Sequence, residues 1–143
     1  MMKAFFGRRY TFSASHRLHT PALSEEQNSA AYGKCNNPHG HGHNYVVEVL
    51  VGGPIDAETG MVIDLARLDR VVQATVLERF DYTNLNLDPM FSNRVPTTEN
   101  LCKAVFQLLQ EPVAPAELAH VRVEETENNS FEYYGEGSNG NDD

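Results

Sequence analysis

Two short runs carry most of the side chains able to do chemistry. KCNNPHGHGHNY, Lys34 to Tyr45, holds a cysteine and three histidines, and FSASH ends on His16. His41 and His43 are two residues apart, so in an extended segment both rings point the same way and can grip one ion. His16 closes a stretch whose alternate residues also share a face. Three neutral imidazoles suit zinc and leave a fourth position open for water or substrate. Cys35 could complete a closed four-ligand site. Five residues separate it from His41, which equally leaves it free to act as a base. His19 and His39 lie in polar surroundings and read as non-ligands. Histidine-rich turns are often only surface, so spacing alone does not decide between a site and a decorated loop.

These residues need elements to position them. Residues 4–16 alternate as a strand, with Phe6, Tyr10, Phe12, Ala14 and His16 on one face. His43 to Val51 reads as a second strand, with His43, Tyr45, Val47, Val49 and Val51 sharing a face. Residues 24–32 make a short helix with Ser24 as N-cap and Gln27 completing a capping box. GGPIDAETG is turn chemistry. A helix over about 64–79 follows, capped by Asp64, with Leu65, Leu68, Val72 and Val76 as its apolar stripe. DYTNLNLDP reads as loop. Thr98 is the expected cap of a second helix, TENLCKAVFQLLQ, which buries Leu101, Val105, Leu108 and Leu109 and ends before Pro112 and Pro115. His120–Glu127 and Phe131–Glu136 are expected strands around an Asn128–Asn129 turn. The order predicts one α+β domain over 1–136, an antiparallel four-stranded sheet with two helices on one face, and a disordered tail over 137–143. Open sheet edges invite pairing with other copies.

The chain has 143 residues and a formal net charge of −9. That excess of acid argues against nonspecific binding to nucleic acid or to an anionic membrane. No stretch nears the roughly 18 apolar residues of a membrane helix, and the first residues do not read as a signal peptide. Two cysteines make no disulfide framework, which fits a reducing, cytoplasmic setting. An anionic small substrate would need a local basic patch. Arg8, Arg9, Arg17 and Lys34 lie near the histidine motifs and could supply one, although each taken singly reads as a solvated surface charge. No dinucleotide-binding glycine motif is present. Cys102 stands beside Leu101 and four residues before Phe106 on an amphipathic helix, a core position.

FSASHRL, GKCNNPHGHGHNY, DYTNLN, PTTEN and VEETENN, in that order, resemble the 6-pyruvoyl-tetrahydropterin synthase family from about Phe12 to Glu136. The resemblance implies zinc held by His16, His41 and His43, and Cys35 as catalytic base. It implies a pterin ring anchored by Glu125 beside Thr97 and Thr98, and Asp81 working with the cysteine. The implied fold is the tunnelling fold, ββααββ subunits closing into a trimeric β-barrel, with two trimers stacked into a hexamer and pockets between subunits. The implied substrate is 7,8-dihydroneopterin triphosphate, and the implied reaction is an internal redox rearrangement that eliminates triphosphate.

One position departs from the family. Its pattern is Asp-His where this chain has Asp81-Tyr82. Histidine titrates near ~6.5 and can shuttle protons at neutral pH, whereas tyrosine, near ~10, mostly donates a hydrogen bond. Tyr82 therefore reads as an acid or positioning group, with His39 as a possible substitute. The spacing C-x5-H-x-H resembles the biopterin-type synthases, whereas the 6-carboxy-tetrahydropterin synthases of queuosine biosynthesis generally carry C-x3-H-x-H. The favoured product is 6-pyruvoyl-tetrahydropterin. The alternatives are a 6-carboxy product, side-chain cleavage to sepiapterin or a hydroxymethylpterin, and a non-catalytic pterin- or metal-binding paralogue.

Overall fold

Alternation sets the sheet. In the computed structural model, which describes residues 3–136, the elements in chain order are β1 (Ala4–His16), α1 (Glu25–Tyr32), β2 (His41–Gly53), α2 (Leu65–Val72), α3 (Glu78–Phe80), β3 (Thr83–Asn84), α4 (Thr98–Leu109), β4 (Glu117–Glu124) and β5 (Ser130–Tyr133). The expected tail, 137–143, lies outside the described residues. β1 and β2 pair antiparallel along their whole length, His16 opposite His41 and Ala14 opposite His43. β4 pairs with β2, with a register shift between Leu50 and Val51, and β5 pairs with β4.

The sheet is not four-stranded and antiparallel as the sequence predicts. It has five strands in the order β3-β1-β2-β4-β5, and β3 runs parallel to β1. DYTNLNLDP, expected as loop, supplies that strand and then tight turns at Leu85–Leu87 and Pro89–Phe91. The pairing is anchored just before β3. Asp81 accepts from the Ser13 amide at 2.9 Å, and the Tyr82 amide donates to the Ser13 carbonyl at 2.6 Å. A carboxylate here does a ladder's work, which two residues of polar sequence do not advertise.

One face of the sheet is dry. Tyr45, Val47, Val49 and Val51 of β2 and Val121 and Val123 of β4 are fully buried beneath the helices. The opposite face carries an alternating set of charges, with Arg9 and Arg122 both bound to Glu48 and both reaching Glu124. α4 presents Leu101, Cys102, Val105, Phe106 and Leu109 to the core. Its cap is Thr97, not Thr98: the Thr97 hydroxyl accepts from the Asn100 amide at 3.1 Å, which frees Thr98 to point elsewhere. α2 is capped by Asp64, whose carboxylate accepts from the Ala66 amide.

The first long helix reaches Phe80 through a wider π-turn at Gln73–Leu77 between α2 and α3. At 3.6 residues per turn, each step of four residues overshoots a full turn by about 40°. Leu68, Val72, Val76 and Phe80 are spaced by fours and would drift off the sheet. The wider turn takes up that drift, and all four are fully buried. Each such side chain contributes about 1.5–3 kcal/mol relative to exposure.

Candidate metal and pterin site

The site forms where β1 ends and β2 begins. Paired strand residues share a face, so the register that sets His16 opposite His41 puts both rings, and His43 two residues on, over the helix-covered side. His16 is fully buried. Its Nδ1 lies 2.8 Å from the Pro96 carbonyl and 3.2 Å from the Tyr45 hydroxyl. A carbonyl only accepts, so Nδ1 carries the proton and Nε2 is left with its lone pair. That Nε2 is buried and has no hydrogen-bond partner. It stands 3.8 Å from Glu125 Oε2, and His43 Nε2 stands at the same distance from the same oxygen.

Cys35 approaches from the turn Gly33–Asn36 that follows α1. Its Sγ lies 3.9 Å from His43 Nε2. The ligand atoms of His16, Cys35 and His43 all lie within 4.8 Å of one another. His41 stands outside that group of three. It is exposed, with its ring 4.8 Å from the His43 ring. The fit to a metal is good in its donors: two imidazoles, one with an orphaned buried lone pair, and one sulfur. His19 and His39 do not enter the group.

Electrostatics follow from burial. Desolvation lowers the pKa of His16 against the opposing pull of Pro96 and Glu125, and it lowers that of His43 as well. Both rings are therefore neutral at neutral pH, the form a metal needs. The contacts with Glu125 are then close approaches of a carboxylate to neutral rings, not ion pairs. Burial first and Glu125 second push the Cys35 thiol up, so the chain alone does not make a thiolate there.

Beside the cluster opens a cavity of about 360 Å³ lined by Leu18, Tyr32, Thr97, Thr98, Glu125 and Phe131 among others. Thr98, released from capping, donates its hydroxyl to Glu125 Oε2 at 2.9 Å. The result is a slot with aromatic and aliphatic walls and two carboxylates, Glu99 and Glu125, in its lining. Such a slot fits a flat heterocycle with N–H donors.

Several supporting residues escape a reading of the sequence. Asn28 is fully buried in α1 and ties the 20–24 segment down, accepting from the Thr20 amide and donating to the carbonyls of Thr20, Leu23 and Ser24. Asn36 donates to the Leu18 carbonyl, and the Leu18 amide donates to the Cys35 carbonyl. Together these fix the turn that carries Cys35. Tyr45 stands where the alternation of the sequence puts it, on the face of His43. Pro96 and Asn28 leave no such signal.

Asp81 and Tyr82 are placed elsewhere. Tyr82 is 88% exposed, with a left-handed backbone at φ 58°. It lines a surface groove of about 440 Å³ with Ser13, Ser15 and Asn44, which alternate away from the histidine face, and with His43 and Ala14, which do not. One chain does not bring Tyr82 to Cys35.

The profile of the family described as 6-pyruvoyl tetrahydropterin synthase matches residues 6–136. The chain belongs to that family. It is 46% identical to the human 6-pyruvoyl tetrahydrobiopterin synthase, over 94% of this chain and 93% of that one. It is 45% identical to the protein of that name from Drosophila melanogaster, over 92% of this chain and 80% of that one. The solved Caenorhabditis elegans 6-pyruvoyl tetrahydropterin synthase superposes with a TM-score of 0.89 at 40% identity, covering 95% and 98% of the two chains.

Proposed function

We propose that this pterin synthase converts 7,8-dihydroneopterin triphosphate to 6-pyruvoyl-tetrahydropterin with elimination of triphosphate, and that it depends on zinc. The observation that carries the reading is the convergence of the orphaned His16 Nε2, His43 and Cys35 beside Glu125. His16, His41 and His43 would hold the metal, His41 by turning its exposed ring inward. Zinc there would polarise the substrate's side-chain oxygens as a Lewis acid and oppose the upward pull of Glu125 on nearby thiols.

The chain's own residues do the rest. Glu125, steadied by Thr98, takes the N–H groups of the pterin ring in the slot, and Thr97 fixes the start of α4 beneath it. Cys35 Sγ removes a proton from the side-chain carbon next to the ring. The ring takes up two hydrogens as that carbinol carbon becomes a ketone; loss of the proton on the next carbon then expels the triphosphate with its bonding pair, and the enol left behind becomes the second ketone. Atoms and electrons balance within one substrate, so no external reductant is needed. The longer C-x5-H-x-H loop supports the pyruvoyl product over the 6-carboxy one.

Asp81 is tied to the β1 edge at Ser13 and Tyr82 is exposed to solvent, with no contact to Cys35, which supports an oligomer in which one copy's pair faces another copy's cysteine. The open edge of β1 along most of its length and the outer edge of β5 are the surfaces for it; trimers stacked in a hexamer are the reading adopted. Two free cysteines accord with a cytoplasmic setting, and no helix among the described residues is long and apolar enough to cross a membrane.

Mass spectrometry of the product from zinc-loaded protein tests the reaction. Release of 6-pyruvoyl-tetrahydropterin and triphosphate is the expected result. A 6-carboxy or hydroxymethyl product would move the bond that breaks, and bound pterin without turnover would leave a binding paralogue. An active monomer by light scattering would remove the oligomer.

A further inference from the structure

A second cavity of about 360 Å³ is lined by Ser29, Gly33, Lys34, Asn36, Asn37 and His41 together with Pro38. No carboxylate lines it. The chain as a whole carries 20 Asp and Glu against 11 Lys and Arg. Most cations here already have partners: Lys3, Arg8, Arg9, Arg79, Lys103 and Arg122 sit on carboxylates, and Arg67 is held by the carbonyls of Pro112, Val113 and Ala114. Among the described residues, Arg17, Lys34, Arg70 and Arg94 make no ion pair. Two of these four border this cavity. Lys34 lines it, and Arg17 places its Nε 3.2 Å from the carbonyl of Asn36 on the wall.

The order of groups gives the cavity its place. Glu125 approaches His43 at 3.8 Å, the His43 ring lies 4.8 Å from the His41 ring, and His41 lines the cavity. A ligand anchored at Glu125 and crossing the histidines arrives at Lys34. We infer that this cavity holds the polyphosphate tail of the substrate, with Lys34 and Arg17 as its cations; this rests on the pterin triphosphate reading above. A polyanion here meets two unpaired cations and polar Ser29 and Asn37, with no like charge on the wall. Arg94 borders a different cavity, with His19 and Pro96, and serves as the control.

The test is calorimetric titration of inorganic tripolyphosphate into the metal-free full chain, so that chelation of zinc contributes nothing. The natural protein should bind, less tightly as salt rises. Lys34→Ala and Arg17→Ala should each weaken binding by about 10-fold or more. Lys34→Arg should retain most of it, and Arg94→Ala should match the natural protein. Equal affinity in the natural protein and Lys34→Ala, or a loss in Arg94→Ala alone, overturns the assignment. In zinc-loaded protein, Lys34→Ala should raise KM for dihydroneopterin triphosphate while leaving the affinity for unphosphorylated dihydroneopterin unchanged. If dihydroneopterin fails to bind the natural protein, the pterin reading falls, and the tripolyphosphate titration still decides the anion site.

Discussion

Cys35 and Cys102 are the same side chain in two unlike regions. Cys102 is fully buried in α4, where its Sγ donates to the Val121 carbonyl at 3.2 Å and desolvation pushes its pKa up to about 12. Cys35 is half-buried on a tight turn, 3.9 Å from a histidine nitrogen and within reach of a carboxylate. Both thiols are held up by burial. The difference lies in what could reverse it. Around Cys102 burial outweighs the backbone hydrogen bonds of Tyr133 and Val123 that favour a thiolate. Around Cys35 the neutral imidazoles form a seat for a cation. Reactivity is thus a property of the mouth of the sheet, built on a core that keeps its own thiol inert.

The largest way to break that contrast is to empty the seat. His43→Ala removes the ring that touches Cys35, Glu125 and His41 alike. Zinc content by elemental mass spectrometry should fall from about one per chain to near none, with activity lost. A variant that kept full zinc would move the metal to other residues. The next step is Cys35→Ala. Loss of a general base typically costs about 10²–10⁴-fold, so turnover should drop by that much while zinc and dihydroneopterin still bind. Near-normal turnover would place the base elsewhere.

Tyr82 sharpens the same contrast from outside the mouth. A phenol next to Asp81 can give a hydrogen bond but relays protons poorly at neutral pH. Restoring the family residue with Tyr82→His should raise the neutral-pH rate by about 10-fold or more and add an ionisation in the histidine range to the pH–rate profile. If that variant is no faster and Tyr82→Phe matches the natural protein, position 82 carries no proton.

Cys102→Ala probes the other region. It removes a buried sulfur and leaves a small void, so urea unfolding should show a loss of about 1–2 kcal/mol, with zinc content and turnover unchanged. Iodoacetamide should label Cys35 and spare Cys102 in the folded protein.

How much of this was legible beforehand differs between the two regions as well. The core was readable because its rule is periodic: Val47, Val49 and Val51, or Leu101, Val105 and Leu109, repeat at the period of their element. The histidine face of the mouth was readable for the same reason, because His41, His43 and Tyr45 alternate. What failed was aperiodic. Thr97 and Thr98 are adjacent hydroxyls, and only backbone geometry decides which one caps α4. β3 depends on Asp81 reaching the Ser13 amide, a contact across 68 residues. The π-turn answers a four-residue spacing that looks like an ordinary helix. The grouping of Cys35 with His16 and His43, while His41 stays outside, depends on side-chain direction that spacing does not carry.

The smallest effect concerns the connection that holds Asp81 and Tyr82 in place. Downstream of β3, Asp88 accepts from Arg79 Nε at 2.9 Å and from Arg79 Nη2 at 2.8 Å, and it accepts from the Met90 amide at 2.9 Å. Those bonds, the Arg79 pair first, hold its carboxyl below the ordinary value of 3.8. A carboxyl whose folded pKa is depressed stabilises the fold fully above its unfolded value, and that share is lost as pH falls through the folded value. Asp88→Asn should therefore cost about 1 kcal/mol at neutral pH, a figure kept low because Arg79 is partly open to solvent. The gap to the natural protein should narrow as pH drops below 3.8 and close below the folded value. Thermal melts between about pH 6 and pH 3 would follow it. A gap that held constant through that range would mean that the Asn amide loses packing or capping and that the charge itself contributes nothing. The mouth and the core would then be joined by a connection indifferent to acid.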